Sequence, residues 1–115
     1  MWNGEDGRVY LYQSEMPYDS PAPESWKHGD ARGYASDKVA NHVKTHLAWG
    51  MGVYCVFKEA PILVDNAIET PVSLEKELHH RFTVWLNGNE GSSILGIHNS
   101  RGERVHKDHR GSNLK

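Results

Sequence analysis

Residues 79–86, His-His-Arg-Phe-Thr-Val-Trp-Leu, set Phe82, Val84 and Leu86 against Arg81, Thr83 and Trp85. That period-2 alternation belongs to a half-buried strand, because successive Cβ atoms leave a strand on opposite faces. Asn87-Gly88 follows at once as a strong turn signal. Other segments read the same way. Residues 8–13 place Val9 and Leu11 on one face and Tyr10 and Tyr12 on the other. Residues 49–57 read as a buried strand in which Gly50 and Gly52 mark a bend or a close backbone approach. Residues 61–68 and 93–99 give two more short strands. In residues 38–48, Val39, Val43 and Leu47 recur at helical spacing, yet the segment is bounded like a strand and rich in β-branched residues, so a strand is favoured. Residues 71–78 read as one loose helical turn or a loop. The expected class is all-β: a sheet pair, a barrel fragment or a few coils of a β-solenoid. Spacing alone does not choose among these, and no exact repeat of propeller or leucine-rich length is present.

Composition adds a constraint on the core. Only 37% of the 115 residues are hydrophobic and the mean hydropathy is −0.69, so a lone domain of this length would have a thin core. The formal charge of −2, with mixed signs, lacks the basic footprint that a nucleic-acid partner requires. Cys55 is the single cysteine, which excludes a disulfide framework, and its apolar neighbours suit a buried thiol. Residues 1–7 are polar and acidic, unlike a secretory signal, and no apolar run reaches membrane-spanning length. The expected layout is a polar lead over 1–7, one β-domain over 8–102 and a charged, disordered tail over 103–115.

Glu15 is the residue best placed for chemistry. It stands where the first strand gives way to Met16-Pro17-Tyr18-Asp19-Ser20-Pro21-Ala22-Pro23, a segment that its prolines hold in extended and turn geometry. Tyr12, Gln13, Tyr18 and, farther along, Trp26 surround it in sequence with the rings and hydrogen-bonding groups that hold sugars. Glycoside cleavage needs a carboxylic acid in such surroundings. On composition alone the plainer reading is preferred, a solvated carboxylate at a strand end with aromatics covering loop backbone. His42 and His46 have the i, i+4 spacing of a zinc-binding helix but lack the glutamate and a third ligand. His79 and His80 are adjacent on a strand and point to opposite faces. There is no phosphate loop and no Gly-x-Ser-x-Gly elbow.

Several separated blocks together resemble a known family. They are Tyr12-Gln13-Ser14-Glu15-Met16-Pro17-Tyr18-Asp19, Gly33-Tyr34-Ala35-Ser36, the run from His46 to Tyr54, Trp85-Leu86-Asn87-Gly88, and Ile94 to Gly102. In order and spacing they are similar to the C-terminal part of glycoside hydrolase family 55. That resemblance implies secreted fungal and bacterial exo-β-1,3-glucanases built from two right-handed parallel β-helix domains. This chain would supply C-terminal coils and cap of one, a partial domain whose neighbouring coils complete its core. It further implies that Glu15 is the general acid of an inverting mechanism and that β-glucan is the partner; the flanking Tyr12, Gln13, Tyr18 and Trp26 are the substrate-binding candidates, and no cofactor or metal is expected. The water-positioning groups would lie upstream, Asp19 would orient its loop, and the chain alone would be inactive. An open β-helix edge would invite self-association. The alternative is a non-catalytic carbohydrate-binding or structural β-domain using Tyr18, Trp26, Trp49 and Trp85 as its surface.

Overall fold

The computed structural model describes residues 1–18, 25–58 and 60–115. The chain passes back and forth between two sheets. Strands β1 (Gly7–Glu15), β5 (His46–Phe57) and β7 (Leu78–Gly88) run parallel in one sheet, and β9 (Gly111–Leu114) joins β7 antiparallel. Strands β4 (Asp37–Lys38), β6 (Leu63–Glu69) and β8 (Ser93–His98) run parallel in the other. A two-stranded ribbon, β2 (Lys27–His28) with β3 (Ala31–Arg32), stands outside both. The described residues are all-β in class, with one 3-10 helix at Val72–Glu77 where the sequence predicts a loose helical turn or a loop.

The core fills the space between the sheets. Met51, Val53, Cys55 and Phe57 of β5 face Val64, Ala67 and Ile68 of β6, joined by Leu78, Trp85 and Ile94. Each fully buried aliphatic or aromatic side chain contributes about 1.5–3 kcal/mol, so this small set carries much of the stability. Burial pushes the Cys55 thiol up to about 12, which keeps it protonated and inert.

One column of residues interrupts strict alternation in three strands. Leu11 (φ 54°), Gly50 (φ 69°) and His80 (φ 54°) are all left-handed. They occupy one level, since Tyr10, Trp49 and His79 pair just before them and Tyr12, Met51 and Arg81 just after. Each bends its strand and reverses which parity points inward. Ala48 is buried before the bend, whereas Met51, Val53 and Cys55 are buried after it. Leu11 therefore leaves the core face assigned to it with Val9 and is 87% exposed. Gly50 meets the predicted bend; at Gly52 the close neighbour is a side chain in place of the expected backbone, since a Cβ there would lie 2.3 Å from the Phe82 ring.

In β7 the alternation is present, with Arg81, Thr83 and Trp85 turned inward. Phe82 and Val84 lie half-buried on the outer face and Leu86 is exposed. The inward Arg81 is accommodated because its guanidinium donates to His98 Nδ1 at 2.7 Å. Residues 39–45 form neither the favoured strand nor a helix; Val39 and Val43 turn into a second small cluster with Ala40 and Leu74.

The expectation of a disordered tail over 103–115 is corrected. Val105 is fully buried and exchanges two backbone hydrogen bonds with Ile94, and β9 covers the outer edge of β7. Strand pairing uses main-chain groups, so a segment almost without apolar side chains closes the end of the stack through its backbone.

Candidate functional site

Beyond the bend, the outer face of β1, β5 and β7 presents Gln13 and Glu15 beside Tyr54 and Phe82. Glu15 pairs in register with Tyr54, and Gln13 with Gly52, over which the Phe82 ring lies. Phe82 and Tyr54 meet edge to face with centroids 6.0 Å apart. Met16, whose N–H bonds to Tyr54 O, is buried and ends the strand. The chain then turns so that the Tyr18 hydroxyl donates to Glu15 Oε2 at 2.7 Å.

Tyr18 is held from two sides. The Lys58 ammonium lies 4.9 Å from its ring centroid, and the Lys58 N–H donates to the Tyr18 carbonyl. The hydrogen bond to Glu15, and the charge of that carboxylate, hold the Tyr18 phenol above its ordinary range. The phenol thus stays a donor and fixes the direction of the carboxyl group.

Of the substrate-binding candidates, Gln13 and Tyr18 share this face with Glu15. Tyr12 points the other way along β1, half-buried against the core, as do Ser14 and Met16. Trp26 also packs on the core, its ring edge-on to Phe57 at 5.8 Å and closely covering Gly33. Asp19 and most of the Pro-rich segment lie outside the described residues. Among the other aromatics, Trp85 is buried and bonds Ser92 Oγ, while Trp49 is sandwiched between Tyr10 and His79. Tyr54, Phe82 and Lys58 were not singled out from sequence. Gly52 was the available signal, since a strand glycine invites a ring from the neighbouring strand.

The histidine pair separates. His42 is exposed and bonds Asn3 O, whereas His46 is buried beneath Trp2 and close enough to the buried Asp37 for their charges to interact. Desolvation pushes the His46 imidazole down and the Asp37 carboxyl up. Among the described residues no group of three or more metal-ligating side chains comes together.

No family model matches the chain. It is 40% identical over 88 residues, 76% of its length, to an exo-β-1,3-glucanase of Streptomyces sp. (strain SirexAA-E / ActE), of which it spans 14%. The solved structure of sacteLam55A from Streptomyces sp. SirexAA-E superposes on 98% of this chain with a TM-score of 0.86 at 33% identity, using 21% of that protein. A variant of sacteLam55A with a glutamate replaced by alanine, in complex with glucose, superposes on 96% with a TM-score of 0.84 at 31% identity, using 20% of that protein. Sequence agrees over three quarters of the segment and fold over nearly all of it, and on that evidence the chain belongs to glycoside hydrolase family 55 while spanning a small share of its relatives' length.

Proposed function

We propose that this chain is the C-terminal part of an inverting β-1,3-glucanase of family 55, and that Glu15 is the acid that protonates the departing glycosidic oxygen. The observation that carries this reading is the Tyr18 hydroxyl on Glu15 Oε2 at 2.7 Å, on a face shared with Gln13, Tyr54 and Phe82. A carboxyl group gripped through one oxygen offers the other in a set direction, and rings beside it suit the apolar faces of a sugar. The printed activity of the Streptomyces relative, and the glucose complex of sacteLam55A, support a glucan substrate.

On this reading the two parallel sheets, visited in turn, are the last coils of a right-handed parallel β-helix, and Val105 with β9 forms its cap. Inversion calls for a second group that activates water on the opposite face of the sugar, about 6.5–9.5 Å from the acid. That group comes from chain outside this segment, so the segment alone binds sugar without cleaving it. A polysaccharide substrate places the working enzyme outside the cell.

A graft tests the reading. The segment replaces its counterpart in the Streptomyces exo-β-1,3-glucanase, and glucose release from a β-1,3-glucan is followed. The isolated chain should release none, the graft should release glucose, and Glu15→Gln in the graft should abolish it. An active Glu15→Gln graft would remove Glu15 from the acid role.

A further inference from the structure

We propose that Lys58 positions the Glu15 carboxyl group, acting through Tyr18 from the end of the neighbouring strand. Its effect on catalysis rests on the assignment of Glu15 as the acid; its effect on Tyr18 does not. The backbone ladder of β1 stops short of Tyr18. Met16 N–H bonds to Tyr54 O at 2.8 Å, and Pro17 after it has no N–H to donate. Strand pairing therefore places Glu15 beside Tyr54 and leaves the direction of the Tyr18 ring to contacts beyond the strand.

Lys58 makes two of those contacts. Its N–H donates to the Tyr18 carbonyl at 3.3 Å, and its ammonium lies 4.9 Å from the centroid of the Tyr18 ring. One contact holds the backbone of Tyr18 and the other holds its ring, so the residue is fixed in place and in orientation. The Tyr18 hydroxyl then reaches Glu15 Oε2 at 2.7 Å. Lys58 is itself anchored. It directly follows Phe57, whose side chain is buried and whose carbonyl accepts from Asn89 N–H at 2.6 Å. Alternation with the buried Cys55 and Phe57 sends Tyr54, Val56 and Lys58 outward, onto the face that carries Glu15. An ordinary exposed lysine contributes little through its charge. This one grips, by main chain and side chain together, the residue that touches the carboxyl group.

The consequence falls on the proton transfer. As the acid gives its proton to the glycosidic oxygen it becomes a carboxylate, and the hydrogen bond from Tyr18 strengthens as that charge appears. Keeping Tyr18 aimed at Oε2 therefore favours the transfer step, whereas a lysine that touched the sugar would act on binding.

Two measurements test this. In the chain itself, tyrosines labelled with carbon-13 at Cζ report phenol titration by NMR, and the Tyr18 signal is identified by its loss in Tyr18→Phe. The wild-type Tyr18 phenol should titrate above its ordinary range through its bond to Glu15. Lys58→Met should bring it down toward that range, as Glu15→Gln does, and Lys58→Arg should keep it high. In the graft into the Streptomyces glucanase, Lys58→Met should lower kcat about two- to fivefold with KM unchanged, the scale of an exposed cation–ring contact. Lys58→Arg should restore the rate, and Lys58→Met should add nothing in a Tyr18→Phe graft. A Tyr18 titration that ignores Lys58→Met, or moves upward as from loss of charge alone, would overturn the proposal whatever the graft does. So would a rise in KM alone, or losses from Lys58→Met and Tyr18→Phe that simply multiply. An inactive wild-type graft, or an active Glu15→Gln graft, would instead refute the acid assignment, and the Tyr18 titration would then decide the role of Lys58 by itself.

Discussion

Acidification should destabilise this protein steeply between about pH 6.5 and pH 4, and His98 is the main reason. Its imidazole is fully buried between the sheets. Nδ1 accepts from the Arg81 guanidinium at 2.7 Å, and Nε2 donates to Thr70 Oγ1 at 2.8 Å, whose own proton goes to Pro71 O. A second proton would have to enter at Nδ1, facing a cation in a dry site. Burial, and then the Arg81 charge, push the imidazole down from 6.5 to about 4. The unfolded chain takes up a proton below about pH 6.5 that the folded chain refuses until about pH 4, so stability falls as pH falls through that window. At about 1.4 kcal/mol per pH unit over roughly 2.5 units, the loss approaches about 3.5 kcal/mol, a large part of a small domain's 5–15 kcal/mol. His46, also depressed, acts in the same direction, and Asp37, raised by burial, acts in the opposite one. The His98 share is therefore read as a difference. Urea denaturation across pH 4–7 should show His98→Gln less stable than wild type by about 1–3 kcal/mol at pH 7, from lost buried hydrogen bonds. The two curves should converge toward pH 4. Parallel curves would mean that His98 titrates like an exposed histidine and would refute the argument.

Other substitutions follow from packing and backbone geometry. Gly52→Ala puts a methyl group 2.3 Å from the Phe82 ring and should cost about 1–3 kcal/mol in thermal or denaturant unfolding, because ring and strand must separate. Leu11→Gly removes a side chain that is 87% exposed from a left-handed position, and should raise the melting temperature, by up to about 1 kcal/mol of stability. Trp26→Ala should lower stability by about 3–5 kcal/mol through the space it leaves against Phe57. A substrate-stacking role alone would instead leave unfolding unchanged and weaken glucan binding.

The elements were largely legible. Period-2 alternation located β1 and β7, because the pleat forces it on any strand that buries one face, and short apolar runs located β5, β6 and β8. The facing of β7 was not legible, since alternation separates two sets without saying which one meets the other sheet. Arg81 and Thr83 point inward because the second sheet brings His98 to Arg81, and His98 is seventeen positions away in sequence. At the site, the pairing of Glu15 with Tyr18 depends on a local turn and lay within reach of sequence. Tyr54, Phe82 and Lys58 arrive from later strands whose register no local pattern records. Tyr12 and Trp26 were grouped with Glu15 by closeness along the chain, and the strand pleat and the second sheet turned both to the core.

Amino-acid sequence by itself determined the all-β class, the positions of the five longer strands, the bend at Gly50, and the family, because each depends on local backbone preference or on residues preserved in order. Tertiary structure alone decided the inward face of β7, the ordering of residues 103–115 and the company that Glu15 keeps. Those depend on hydrogen bonds and contacts between segments far apart in the chain, and a backbone pairing such as that of β9 leaves almost no trace in side-chain composition.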